Sequence, residues 1–248
     1  MKNSILELYP AIQAEGSRSG LPTIVVRTTG CTHRCHFGEG GWCDSWQTSI
    51  HPQKGIYNIG DVKSMYDKYP YIKEMMITGG SPTMHPELLN ELTTFANSRG
   101  IFTTLETEGS HFVKTDIPID LISLSPKFSN SIPKIGITTP EGKIVDGKFI
   151  TQHNKFRLNY QSIRSMLDYH KDYHYKPVWD GSGEILNEIE TFRQELRIPK
   201  NKTWVMPGGD NRDTLIKMYP ITINMCIERG YNFTGREHII AFNKERFV

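Results

Sequence analysis

PTIVVRTTGCTHRCHFGEGGWCDSW, residues 22–46, joins a run of β-branched residues to a loop holding three of the chain's four cysteines. The apolar run, bounded by Pro22 and Gly30, reads as a buried strand over 22–29. Cys31, Cys35 and Cys43 follow it at C-x3-C-x7-C. Thiolates are soft donors suited to iron–sulfur clusters, zinc or copper(I). A structural zinc closes four ligands, which His33 or His36 would complete. A three-cysteine cluster instead leaves one iron open to a substrate or cofactor. The spacing alone leaves both readings open. Cys226, within INMCIERG, reads as a small core residue.

Outward from this stretch, EMMIT (74–78), IFTTLE (101–106), DLISLS (120–125), YKPVW (175–179) and TWVMP (203–207) read as further buried strands. Apolar residues three and four apart predict helices over 61–69, 86–98, 160–173, 184–196 and 213–228, the last bent or split by Pro220. Strand alternating with helix predicts an α/β fold with a mainly parallel sheet and right-handed connections. In such sheets ligands collect at the carboxyl ends of the strands. There lie the cysteine loop, TGGSP (78–82), ETEGS (106–110), SPK (125–127) and MPGGD (206–210).

The 248 residues carry 29 Lys and Arg against 27 Asp and Glu, a net charge of +2 without a basic run, so no nucleic-acid partner is expected. The opening MKNSILELYP lacks the apolar core of a signal peptide, and no stretch approaches the roughly 20 apolar residues of a membrane span. The expectation is a cytoplasmic chain with no membrane partner, organised as one domain over 1–248. Clustered cysteines in a reducing compartment bind metal or do chemistry more often than they form disulfides.

A cysteine triplet after the first strand and a glycine pair after the second resemble the radical S-adenosylmethionine (SAM) superfamily. That resemblance implies an incomplete TIM-type barrel, with core about 20–210, an N-terminal substrate-binding segment and a C-terminal extension. It also implies a 4Fe-4S cluster on Cys31, Cys35 and Cys43, and a GGE-type motif that meets the amino end of the cofactor's methionine. Two departures stand out. The common spacing is C-x3-C-x2-C, whereas HFGEGGW separates the last two cysteines here, and Ser81 replaces the acid of GGE. A glycine-rich insert can loop out and return Cys43 to the cluster.

The flanks resemble the 7-carboxy-7-deazaguanine synthase family: Gln13-Ala14-Glu15-Gly16, Arg27 ending its strand, Cys43-Asp44-Ser45, TGG, Glu106-Thr107-Glu108-Gly109, Ser125-Pro126-Lys127, and Arg236-Glu237-His238 for its RxH. Residues 130–155 match no named motif. The resemblance implies ring contraction of 6-carboxy-5,6,7,8-tetrahydropterin to 7-carboxy-7-deazaguanine with loss of ammonia, in queuosine-type biosynthesis. Glu15, Glu106, Gln13 and main-chain groups of Ile12 to Ala14 would meet the pterin, with Thr78 facing it and Arg27 taking its carboxylate or, alternatively, pairing with an internal acid. Trp42, Asp44, Gly79, Gly80, Ser125, Pro126 and Lys127 would border SAM, and the Ser45 hydroxyl would bind Mg2+. Trp42 and Trp46 would shield the cluster from water. Glu108 and Ser110 read as solvated, and His111 and His153 have no task. The implied partners are a flavodoxin- or ferredoxin-type electron donor and a second copy of the chain. A glycyl-radical activase and a non-enzymatic Cys3His zinc module are the rival readings.

Overall fold

The structure is a computed structural model that describes residues 3–38, 41–245 and 247. Its main sheet runs in chain order through β1 (Ile5–Ile12), β2 (Pro22–Thr28), β3 (Glu74–Gly79), β4 (Phe102–Thr107), β5 (Leu121–Leu124) and β6 (Tyr173–Tyr175). β2 to β6 are parallel, and β1 lies antiparallel on β2. A second parallel sheet holds β7 (Val178–Trp179), β8 (Trp204–Pro207) and β9 (Asn232–Phe233). A parallel bridge, Tyr175 to Thr203, joins the two. The outermost strands β1 and β9 do not pair, so the barrel stays open.

The helices are α1 (Trp46–Ser49), α2 (Ile59–Lys68), α3 (Pro86–Ser98), α4 (Gly147–Lys155), α5 (Tyr160–Tyr169), α6 (Gly183–Glu195), α7 (Arg212–Arg229) and α8 (Glu237–Phe242). No helix among the described residues is long and apolar enough to cross a membrane. Ile24, Val25 and Val26 are all buried, as a parallel strand covered on both faces requires. Leu89, Leu92, Phe95 and Ala96 bury one face of α3 in the same core. Cys226 joins that core, as expected for a small apolar residue.

Four departures from the sequence pattern have physical reasons. β1 escapes a pattern reading because Pro10 interrupts its apolar run, yet proline is tolerated on an edge strand, which β1 is. YKPVW is two strands, not one, because it is divided at Lys176-Pro177 and proline has no N–H for a ladder. α7 passes through Pro220 without a break, since Pro220 and Ile216, four residues before it, face solvent where the freed carbonyl can be hydrated. The unmatched segment 130–155 folds into a Thr138–Ile144 bridge and α4, whose first turn is capped by Asp146 Oδ1 accepting from Phe149 N–H at 2.9 Å.

Candidate active site

The cysteine loop leaves the carboxyl end of β2 and rests on the loop that follows β3. A Cβ on Gly80 would lie 2.1 Å from Gly30 O and 2.8 Å from Cys31 Cβ, so bare backbone is what lets the two loops pack. Ser81 N–H then donates to Gly30 O at 2.8 Å. The two ends of the insert pair with each other: His36 and Trp42 form an antiparallel bridge, and Cys43 N–H donates to Cys35 O at 3.1 Å. Cys43 therefore returns beside Cys35.

Segment 130–155 backs this pairing. Ser131 O accepts from His36 N–H at 2.9 Å, and Thr138 O accepts from the Trp42 indole at 3.0 Å. His153, fully buried, accepts from Arg34 N–H at Nδ1 (3.1 Å), which leaves its Nε2–H to face Ser131 Oγ at 3.2 Å. The histidine without a task in the sequence thus braces the cysteine loop.

Burial, then neighbouring negative charge, pushes the Cys31 thiol up to about 11 and that of Cys43 up to about 12; Cys35 is raised further still. Cys35 feels the charge of Cys43 and Cys31, and Cys43 that of Cys31, while the Lys127 ammonium opposes the rise at Cys35 and Cys43. Lys127 Nζ is held by Ser125 O at 2.8 Å and Ser125 Oγ at 3.1 Å. Thiols in this setting ionise against the positive charge of a metal centre. Among the described residues no three His, Cys, Asp or Glu converge as ligands of one ion. His33 turns Nδ1 to Thr32 Oγ1 at 2.8 Å, and the His36 ring packs edge-on to Trp42, centroids 4.8 Å apart. Three soft sulfurs without a fourth fit the donor set of an iron–sulfur cluster with one open iron.

Beside Cys31 lies a carboxylate that polarity alone would place in solvent. Glu108 is only 6% exposed and Ser110 is fully buried, correcting the solvated reading of both. Gly109, at φ 84°, turns the chain after β4 so that Glu108 points inward. Ser81 Oγ donates to Glu108 Oε1 at 2.6 Å and Thr32 Oγ1 at 3.1 Å, with Ser110 Oγ a third donor. Burial would raise this carboxyl, but His33 and the hydroxyls together hold it below the usual range. Ser81 Oγ also lies 3.2 Å from Cys31 Sγ.

Across the rim, charged groups pair in a chain. Lys176, 1% exposed, donates to Glu15 Oε2 at 2.6 Å and Glu106 Oε2 at 2.8 Å. Arg236 Nε donates to Glu15 Oε1 at 3.2 Å and its Nη2 to Asp44 Oδ2 at 2.5 Å. Burial would raise Glu15, yet Lys176, Arg236 and His238 hold it far below the usual carboxylate range. Burial would likewise lower Lys176, but Glu106 and Glu15 raise it to about 12. Gln13 reaches Glu106 Oε1 at 3.5 Å and fixes the turn by accepting from Ala14 N–H at 2.9 Å. The main-chain carbonyls of Gln13 and Ala14 accept from Gly20 and Glu237, while Ile12 is exposed. His238 Nδ1 is buried and has no hydrogen-bond partner among the described residues.

Arg27 stands opposite Glu7 on β1 and donates Nε to its Oε2 at 2.7 Å. It thus has the internal acid that the sequence left open, while Nη1 reaches Ser45 Oγ at 3.2 Å. Ser45 in turn donates to Asp44 Oδ1 at 3.2 Å. Thr78 pairs with Arg27 in the ladder and accepts from Thr28 Oγ1 at 3.2 Å through its carbonyl. The fold therefore gathers Gln13, Glu15, Arg27, Asp44, Ser45 and Glu106 around Lys176, which sequence reasoning did not select, and Arg236, which it noted only within the RxH match without a role. The available signal for Lys176 was a charged residue inside the otherwise apolar run YKPVW.

No family model matches the chain. The solved structure of QueE from Escherichia coli superposes with a TM-score of 0.60 at 20% identity, covering 95% of this chain and 94% of that one. The open barrel with its cysteine triplet is the core of a radical SAM enzyme. The chain is 31% identical to the 7-carboxy-7-deazaguanine synthase of Halobacterium salinarum, over 96% of this chain and 90% of that protein. It is 29% identical to that of Rhodopirellula baltica, over 98% and 87%. The chain belongs to the 7-carboxy-7-deazaguanine synthase family.

Proposed function

We propose that the chain contracts 6-carboxy-5,6,7,8-tetrahydropterin to 7-carboxy-7-deazaguanine with loss of ammonia, serving queuosine-type biosynthesis. The observation that carries this reading is the pair of carboxylates held on one buried lysine, Glu15 and Glu106 on Lys176, beside Gln13. Ionised carboxylates accept the N–H groups of a guanidine-like pterin edge, and Lys176 keeps both in place without consuming all their lone pairs. His238 Nδ1 is a further buried polar atom in want of a partner. Arg27, steadied by Glu7, offers its Nη1 edge to the substrate carboxylate, and Thr78 borders the ring. Ile12 and Ala14 flank Gln13 at the mouth of the site.

Cys31, Cys35 and Cys43 hold the 4Fe-4S cluster. Gly79, Gly80, Ser125, Pro126, Lys127, Trp42 and Asp44 border SAM. When bound, these groups supply hydrogen abstraction at C6 of the pterin by a SAM-derived radical. The chain's part is to fix C6 against that centre and exclude water, Trp42 sealing one side against Phe149. Ser45 and Asp44 form an oxygen pair suited to Mg2+, a hard cation that keeps several waters. The electron comes from a flavodoxin- or ferredoxin-type donor, and the working form is a cytoplasmic homodimer of single-domain chains.

The test is anaerobic purification with metal and sulfide analysis, followed by incubation with SAM, a reductant and the carboxypterin. Iron and sulfide in cluster ratio and a product with the mass of 7-carboxy-7-deazaguanine are expected. Stoichiometric zinc, or intact pterin in the presence of a full cluster, overturns the assignment.

A further inference from the structure

We infer that Glu108 is the carboxylate that receives the amino group of SAM's methionyl part, from the loop after β4 and in place of an acid at Ser81. This rests on the radical SAM reading proposed above, and deepens it. Burying a carboxylate is costly unless it is paired and hydrogen-bonded. Glu7 has Arg27, and Glu15 and Glu106 have Lys176. Glu108 is as deeply placed as any of them, and among the described residues no lysine or arginine forms an ion pair with it. Its nearest basic group is the His33 ring at 4.0 Å, and that nitrogen is directed to the Thr32 hydroxyl at 2.8 Å.

The hydrogen bonds point the same way. Ser81, Thr32 and Ser110 all converge on Oε1. No side-chain donor reaches Oε2 among the described residues. A carboxylate so arranged is prepared for a ligand that brings N–H donors and positive charge, and SAM brings both. Position completes the case: Ser81 Oγ touches Glu108 on one side and Cys31 Sγ, at 3.2 Å, on the other. The carboxylate is one hydroxyl away from the first cysteine. Gly109 is needed for this placement, since a Cβ there would meet Ile163 Cγ1 at 2.5 Å in addition to its left-handed φ.

The experiment measures binding of two nucleosides to the reconstituted, cluster-loaded protein: S-adenosyl-L-homocysteine, and its analogue lacking only the amino group. Glu108→Gln keeps the size and a carbonyl for the hydroxyls while removing the charge. We expect it to weaken S-adenosylhomocysteine by roughly 10- to 100-fold, the worth of a hydrogen bond to a charged group. The deamino analogue should bind wild type and variant within about twofold, well inside that range, with iron content unchanged. Relocating the acid, Ser81→Glu with Glu108→Ser, should restore preference for the amino compound. Equal losses on both nucleosides, or none on either, overturn the inference and leave the enzyme assignment standing. A cluster-loaded wild type that binds neither nucleoside overturns both.

Discussion

Two acidic centres meet at the carboxyl end of β4, one through Glu106 and the other through Glu108, and are stabilised in opposite ways. Glu15 and Glu106 are met by full charges, Lys176 between them and Arg236 beyond. Glu108 is met by hydroxyls and a main-chain N–H rather than by a full charge, with a histidine 4.0 Å away. The first centre is closed electrostatically without ligand, so a substrate there exchanges hydrogen bonds. The second carries negative charge toward the cysteines, so a cationic ligand there completes the balance. The first centre offers a balanced array of donors and acceptors; the second offers net negative charge.

Removing a cluster ligand is the most severe way to break this contrast. Cys43→Ala should abolish carboxypterin turnover and intact cluster while leaving Lys176 and its carboxylates in place, checked by iron content and circular dichroism. Retention of full iron would remove Cys43 from the ligand set. Next is Lys176→Met, which leaves Glu106 without a charged partner and Glu15 with Arg236 alone, and should cost about 3–5 kcal/mol in urea unfolding. Adding Glu106→Gln should recover part of that loss. By comparison, Glu108→Gln should cost only about 1 kcal/mol, since its carbonyl still accepts the hydroxyls. A loss as large as that of Lys176→Met would erase the distinction between the centres.

Arg27→Ala should weaken carboxypterin by about 10- to 100-fold, one charge-assisted contact, with SAM affinity and iron unchanged. Equal carboxypterin affinity would take Arg27 out of the substrate site. The smallest effect is on pH. Glu15 titrates below its ordinary 4.5, so its stabilisation is present above that value and is lost as pH falls below it. Lys176 is raised from 10.5 to about 12, so its contribution is full below 10.5 and disappears as pH climbs toward 12. Unfolding free energy measured from pH 3 to about 12 should fall at both ends, and Lys176→Met should flatten the alkaline decline.

Much of this was legible in the sequence where one physical force dominates. β-branched runs gave β2 to β5, and α3 falls on the range expected from apolar spacing. The cysteines announce themselves because few other side chains offer soft sulfur. What was hidden depends on long-range placement. Glu108 sits in a polar string, ETEGS, and only the Gly109 turn and the Ser81 loop bury it. Lys176 reads as the middle of a strand until Pro177 is seen to end β6. Arg236 lies 221 residues from Glu15, a separation that no local pattern reports. Segment 130–155 lacks a recognisable motif because it braces other loops largely through main-chain carbonyls, which leave little mark on residue type, with the His153 ring as its side-chain contribution.

The clasp between the two ends of the fold also sets a schedule. Gly16 N–H donates to Thr234 Oγ1 at 2.6 Å, and Glu237 N–H to Ala14 O at 3.2 Å, so the turn bearing Glu15 is fastened by residues made more than two hundred positions later. On the ribosome, β2 to β5 can assemble while that turn still lacks its fastening. A nascent chain therefore assembles its cysteine corner before the corner that holds Glu15, which stays unfastened until the last strand and helix have been made.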